Sequence, residues 1–258
     1  MYFVFIVGTA GSGKTTLTAT FLDWLRNQNI YAISVNLDPG VKRVPYYPEI
    51  DVREYIDVDK IMEEYQLGPN GGLIVSMDFL ALKMKKIVDE ILSYDAEYVL
   101  IDTPGQLELF VFRDVGPYLV DELSKIEAAR SAILYLIDSN LSKNPANIIS
   151  VLLLGAAIQY RFIKPQLNLL TKIDTLTEKE YAKILEWTND LDDLIKAADE
   201  ETKGILREMT IKIGEMLKDF GTISRILPIS AYERTNMDTL YAELQRIFAG
   251  GEDYLSYE

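Results

Sequence analysis

The sequence predicts an α/β fold of three layers: a mainly parallel sheet flanked by helices, with an all-helical insertion toward its C-terminal end. Three observations predict it. Short apolar, β-branched runs alternate with helical patterns along nearly all of the chain. The first run, Met1 to Val7, passes through Gly8-Thr9-Ala10-Gly11-Ser12-Gly13-Lys14-Thr15-Thr16 straight into a helical pattern. About sixty residues with two helical patterns separate the second run from the third, and a helical crossover makes those strands parallel where a hairpin would make them antiparallel.

Taken in order, Tyr2 to Val7 reads as a buried strand. The glycines after it let the backbone turn its N–H groups inward around phosphates, Lys14 supplies a cation, and the Thr15 hydroxyl suits Mg²⁺. Gly11, Ser12, Gly13, Lys14, Thr15 and Thr16 are the candidate phosphate-binding residues, and their spacing from Gly8 fits G-x-x-x-x-G-K-S/T. The expected architecture is therefore the three-layer P-loop NTPase fold. Lys14 to Asn27 is helical, with Leu17, Phe21, Leu22 and Leu25 on one face. Ile30 to Val35 is the second strand. It ends in Asn36-Leu37-Asp38-Pro39-Gly40, at the carboxyl edge where open α/β sheets hold ligands. Asp38 is thereby placed near the phosphates, either to act on water or only to cap the turn before Pro39. Val41 to Val52 contains Pro45, Pro48 and the pair Tyr46 and Tyr47 without periodicity, and reads as a loop able to change shape.

Asp57 caps a short helix running to Gln66, Leu67-Gly68-Pro69-Asn70-Gly71-Gly72 reads as a turn, and Leu73 to Leu92 is a long helix. Tyr98 to Ile101 is the third strand, ending in Asp102-Thr103-Pro104-Gly105-Gln106. The Asp102 carboxylate suits a Mg²⁺ ion held through water, and the Gly105 N–H suits the γ-phosphate. Gln106 and Asp38 are alternatives for orienting the attacking water, with Glu108 a lesser candidate. Pro117 to Lys125 is helical, and Ser131 to Ile137 is a strand ending at Asp138. Asn144 caps a helix with Pro145 at its first position and Ala146 to Phe162 as its body. Gln166 to Leu170 is a strand leading into Thr171-Lys172-Ile173-Asp174. Glu178 to Phe220 is acidic and helical, with Leu206, Met209, Ile213, Met216 and Phe220 at helical spacing. Arg225 to Ile229 is the last strand, Ser230-Ala231 follows it, Met237 to Phe248 is the closing helix, and the tail from Gly250 is expected to fray. One domain over residues 1–258 is expected, with the helical insertion at about 175–224.

Composition narrows the chemistry. With 40 acidic and 26 basic residues the net charge is -14, which opposes non-specific attraction to nucleic acid or an anionic membrane, and no Lys/Arg-rich run offsets it. There is no cysteine and no histidine, so thiol nucleophiles, disulfides and imidazole bases are excluded. What remains is carboxylates, hydroxyls, lysine, amides and hard cations. No basic leader precedes the strand at Tyr2, and the longest apolar run, Ile148 to Ile158, is too short to span a bilayer. The expectation is a soluble cytoplasmic protein without a direct nucleic-acid or membrane partner.

Thr171-Lys172-Ile173-Asp174 resembles the guanine-specificity motif Asn-Lys-x-Asp, with threonine in place of asparagine. One carboxylate accepts both the ring N–H and the exocyclic amine of guanine, and adenine offers no such pair. A buried, unpaired Asp174 facing adenine would be costly. Lys172 would lay its alkyl stem against the base, and the Ala231 N–H of Ser230-Ala231 would meet guanine O6. GTP is thus the expected substrate and GDP the product.

Together with Gly68-Pro69-Asn70 between the second and third nucleotide strands, and with Asp102-Thr103-Pro104-Gly105-Gln106-Leu107-Glu108-Leu109-Phe110, the chain resembles the GPN-loop GTPases. These belong to the dimerising, parallel-sheet branch of P-loop GTPases, and the loop segment spans about 57–93. The chain lacks the extra lysine that related metal-cluster and partitioning ATPases carry at the start of the phosphate loop. The resemblance implies a Mg²⁺-dependent GTPase and a homodimer in which Asn70 reaches the partner's site. It also implies that eukaryotic relatives act in assembling RNA polymerase complexes, so a protein client follows by resemblance alone. Two other readings carry less: a barely hydrolytic assembly factor docking through the acidic insertion, and a P-loop kinase, which needs an arginine-rich lid the sequence does not show.

Overall fold

The computed structural model describes residues 1–126, 129–219 and 226–249. Its strands are β1 (Tyr2–Gly8), β2 (Ala32–Asn36), β3 (Ile50–Asp51), β4 (Tyr98–Asp102), β5 (Arg130–Asp138), β6 (Gln166–Thr171) and β7 (Ile226–Pro228). They form one seven-stranded sheet in the order β3-β2-β4-β1-β5-β6-β7, with every pair parallel. The helices are α1 (Lys14–Asn27), α2 (Val58–Glu64), α3 (Pro69–Ser93), α4 (Leu107–Phe110), α5 (Val115–Ser124), α6 (Pro145–Phe162), α7 (Glu178–Asn189), α8 (Leu191–Glu201), α9 (Gly204–Asp219) and α10 (Met237–Ala249).

The unbroken apolar run of β1 follows from burial on both faces. Val4 and Ile6 pack with Leu17, Phe21 and Leu25 of α1 and Leu240 and Leu244 of α10. Phe3, Phe5 and Val7 pack on the other side with the layer that includes Leu80 and Met84 of α3, Leu119 of α5 and Leu152 of α6. The long connection between β2 and β4 contains α2 and α3, and β4 lies between β2 and β1, as a helical crossover requires.

Several boundaries differ from expectation for local reasons. The turn expected at Gly68-Pro69-Asn70 is the start of α3 itself: Gly68 is its N-cap and Pro69 its first residue. Proline's fixed φ and missing N–H suit that position, whereas Gly71 and Gly72 read in sequence as loop. Gly72 is needed there, because a Cβ would lie 2.4 Å from Met62 Cγ of α2. β2 is shifted to Ala32–Asn36. The segment Val41 to Val52 contains a two-residue edge strand, β3, because the Glu49 carboxylate accepts from Ser34 N at 2.8 Å and brings Ile50 level with Val35. Two residues are too few to show a period. Residues Leu107–Phe110 form the one-turn helix α4 directly after the β4 turn, which the sequence reading left unassigned.

The insertion between β6 and β7 is three helices rather than one run. Asp190 caps α8, accepting from Asp192 N, and Gly204 with φ +61° stands at the start of α9. The apolar stripe of α9 is divided: Leu206, Met209 and Met216 are exposed, Ile213 packs against the core, and Thr210, Gly214 and Leu217 are buried. Gly214 lets α9 approach α8, since a Cβ there would meet Ile195 Cγ1 at 2.5 Å. Phe220, Arg225 and the tail from Gly250 lie outside the described residues.

Helix α6 is longer than the apolar run suggested. By length and composition its 18 residues, with mean hydropathy 1.2, suffice to cross a membrane. Its face Ile148, Leu152, Gly155 and Ile158 is nonetheless buried in the protein core, with a Cβ at Gly155 only 3.0 Å from the Tyr135 ring.

Candidate active site

Parallel register brings the carboxyl ends of the central strands to one edge. Ile6 and Asn36 are both level with Asp102, Gly8 is level with Leu136, and Asp138 with Thr171. The loops carrying the candidate residues all leave from this edge, which is the ligand side of an open α/β sheet.

The phosphate loop follows β1. Gly11 and Gly13 have φ of +78° and +95°, and a Cβ at either would meet nothing within 4 Å, so the loop presents bare backbone to open space. Gly13 is the N-cap of α1, whose first turn has neither a side-chain cap nor an acidic residue. Its N–H groups and the helix dipole are thus left for an anion. The Lys14 ammonium is buried and donates to Gly8 O at 2.9 Å and Thr9 O at 3.0 Å. Burial lowers its pKa, opposed by Asp102 and Asp38.

Asp102 ends β4 and is buried. Burial pushes its pKa up to about 6, against the pull of the Thr15 and Tyr46 hydroxyls and Lys14. Oδ2 accepts from Tyr46 Oη at 3.0 Å; Oδ1 makes no hydrogen bond of standard geometry, although Thr15 is near enough to favour the charged form. Among the described residues the Ser12 hydroxyl is likewise buried without a partner. A carboxylate oxygen and a hydroxyl left unpaired beside a cradle of amides fit a phosphate with a hard cation, with Thr15 and Asp102 as the residues to hold the metal.

Past Asp102, the turn is tied to β1 by Thr103 Oγ1, which donates to Ile6 O at 2.7 Å. Gly105 N donates to Asp38 Oδ2 at 3.3 Å, so two candidates from distant segments meet. Asp38 is also a turn cap, as the sequence allowed: its Oδ1 accepts from Gly40 N at 2.9 Å. Gln106 and Glu108 are exposed.

A network missed in the sequence fixes Asp38. Asn36 Oδ1 accepts from Asp38 N, and Asn36 Nδ2 donates to Asp38 O and to Asp51 Oδ1. Arg53 grips the Asp51 carboxylate and donates to Val41 O at 3.1 Å. Burial raises the Asp51 pKa, but hydrogen bonds from Arg53 and Asn36 outweigh it and hold the carboxyl below its ordinary value. Asn36 at a strand end was the available signal; Asp51 sits in the aperiodic segment and gave none, and Arg53, just past it, read only as a surface or salt-bridge residue, which its ion pair with Asp51 bears out. Arg113, like Arg53, is ion-paired, here with Asp78.

At the other end of the edge, Thr171 Oγ1 donates to Ser12 O at 2.8 Å and to Ile137 O at 3.2 Å. Threonine therefore ties the base-side turn to the phosphate loop. Thr171→Val is expected to lose about 1–2 kcal/mol of unfolding free energy in urea, because buried carbonyls lose a donor. Lys172 is held with φ 60° and its ammonium donates to Asp138 Oδ2 at 2.7 Å. Burial pushes the Asp138 carboxyl up, but Lys172 and Asn140 N hold it below its ordinary value. Asp174 is exposed, not buried as expected, and its Oδ1 accepts from Ser230 Oγ at 2.5 Å. Thr20 Oγ1 of α1 donates to Ala231 O at 3.0 Å, so Asp174, Ala231 and α1 form one cluster.

Gly68, Pro69 and Asn70 are exposed at the start of α3. That end packs beside the Asp38 turn, where a Cβ on Gly40 would be 2.5 Å from Leu73 Cδ2. Among the described residues no hydrogen bond joins Asn70 to the phosphate loop of its own chain.

A parallel sheet with this loop between β1 and α1, and an aspartate ending the adjacent β4, defines a P-loop NTPase. A family described as "conserved hypothetical ATP binding protein" matches residues 6–250. GPN-loop GTPase PAB0955 of Pyrococcus abyssi is 36% identical over 241 residues, covering 92% of this chain and 93% of that protein. GPN-loop GTPase 3 of Dictyostelium discoideum is 31% identical over 250 residues, covering 96% and 87%. The crystal structure of PAB0955, a GTPase in apo form from Pyrococcus abyssi, superposes with TM-score 0.87 at 34% identity over 96% of this chain and 97% of that one. The chain belongs to the GPN-loop GTPases.

Proposed function

We propose that this GTPase binds GTP with Mg²⁺, hydrolyses it to GDP and phosphate, and works as a homodimeric switch. The observation that carries the choice of base is the Asp174 carboxylate, held by Ser230 beside Ala231 and tied through Thr171 to Ser12 of the phosphate loop. That arrangement supports guanine although the family description speaks of ATP.

Lys14 and the amides of Gly11 to Thr16 hold the phosphates; Thr15 and Asp102 hold the metal, which when bound neutralises charge developing on the phosphoryl oxygens. When the γ-phosphate takes the Gly105 N–H, Asp38 loses that donor and its Oδ2 becomes a hydrogen-bond acceptor for water. The 3.3 Å contact to Gly105 supports Asp38 over Gln106 as the group that orients the attacking water. The proton of that water leaves with phosphate. Asn70, exposed at the start of α3, which has no side-chain cap, reaches the partner's phosphates in this reading.

The test measures products and oligomeric state together. Wild type releases free phosphate from GTP and transfers none to an acceptor, which separates a hydrolase from a kinase. Asn70→Ala lowers that rate about tenfold with GTP affinity retained, a loss of about 1.4 kcal/mol in transition-state stabilisation. An unchanged rate reduces Asn70 to a helix-start residue.

A second reading, a nucleotide-dependent assembly factor with little hydrolysis, is favoured by α9, which exposes Ile205, Leu206 and Met209 at 79%, 58% and 53%. In that reading the insertion docks a protein client, and the family resemblance points to RNA polymerase subunits. Pull-down that depends on GTP against GDP supports it.

A further inference from the structure

Tyr46 is the one buried residue between Val41 and Glu49; Lys42, Arg43, Pro45 and Tyr47 around it are exposed. Its hydroxyl reaches 56 residues along the chain to Asp102 Oδ2 at 3.0 Å, and among the described residues Oδ1 of the same carboxylate makes no hydrogen bond of standard geometry, although the Thr15 hydroxyl is near the carboxylate. The turn that leads into this loop also reaches the β4 turn, where Asp38 accepts from Gly105 N. A tyrosine ring can anchor a loop by burial alone. A phenolic hydroxyl taken out of water needs a partner, and here the partner is the carboxylate at the end of β4.

We propose that Tyr46 is a positioning residue of the metal site: its hydroxyl holds one oxygen of Asp102, aims the other at the cation's water shell, and so couples the order of loop 41–49 to that site. The inference rests on the assignment of Asp102 to Mg²⁺ above. A carboxylate with both oxygens free rotates between equivalent orientations; one with Oδ2 bonded presents a single oxygen in a fixed direction. Partners that orient a metal-binding group in this way are typically worth about 10- to 100-fold in metal affinity. The loop is pinned at its entry by Arg53, which donates to Val41 O and Lys42 O, and in its middle by Tyr46. Lys42 at the first anchor and Arg43 just past it, both exposed, are cleavable by trypsin.

Tyr46→Phe keeps the ring and removes only the hydroxyl. We expect the Mg²⁺ concentration for half-maximal retention of a fluorescent GDP analogue to rise about tenfold, and tryptic cleavage after Lys42 or Arg43 to accelerate, with the thermal midpoint lowered by no more than the loss of one hydrogen bond to a buried carboxylate. Loss of ring packing alone moves neither readout, because the ring remains. An unchanged or lower Mg²⁺ requirement in Tyr46→Phe, with Asp102→Asn losing its Mg²⁺ dependence, overturns the role of Tyr46 alone. Persistence of full Mg²⁺ dependence in Asp102→Asn overturns the metal assignment and the inference with it.

Discussion

Lys14→Ala lowers GTP hydrolysis by at least about 10³-fold, the largest effect expected of any single substitution here. The ammonium is buried at the start of α1 and donates to the carbonyls of Gly8 and Thr9. A phosphate entering the loop offers charged oxygens in place of neutral carbonyls, so the lysine exchanges weak acceptors for strong ones. Its charge then counters the charge that builds on the transferred group. Alanine removes that charge and also leaves two carbonyls without a donor. Chemical unfolding of the apo variant separates the two consequences: a stability loss of about 1–2 kcal/mol accounts for the carbonyls, and the fall in rate at saturating GTP reports the lost charge.

Asp174→Asn lowers GTP affinity by about 10²-fold, from the loss of charge-assisted bonds worth about 1.5–3 kcal/mol each. In the proposed base site the carboxylate accepts from both donors of guanine; an amide would offer one acceptor and one donor, and the donor would meet the exocyclic amine head-on. Xanthine carries an oxygen at that place, so the variant should gain xanthosine triphosphate binding while it loses GTP. The Ser230 hydroxyl that now donates to Asp174 finds the amide oxygen in its place, which keeps the turn in position. Competition of each nucleotide against a fluorescent GDP analogue measures both changes. Equal GTP affinity in wild type and Asp174→Asn would remove Asp174 from the base site.

The fold was legible wherever a segment was long enough to show a period. β1 and α1 stand where the apolar run and the Leu17, Phe21 and Leu25 face put them, and the crossover between β2 and β4 followed from its length. β3, α4 and the true start of α3 were not legible, since two residues, one turn and a Gly-Pro-Asn-Gly-Gly string carry no periodicity. The site divides along a similar line. Residues with backbone-specific chemistry, such as the glycines of the phosphate loop and Asp102 at a strand end, announce themselves by spacing. Tyr46 acts through a contact 56 residues along the chain, and Asp51 and Arg53 through a network whose one local signal is Asn36 at the end of β2. Thr171 shows the reverse: it looked like a departure from the guanine motif, and its hydroxyl forms a specific link from that motif to Ser12.

The most direct test of guanine nucleotide hydrolysis is phosphate release by the wild-type protein from equal concentrations of GTP and ATP with Mg²⁺ present. Release from GTP that exceeds release from ATP by at least about 10²-fold, as expected of a site whose polar groups match one base, and that stops on removal of Mg²⁺, is the predicted result. Equal release from the two nucleotides would contradict the account.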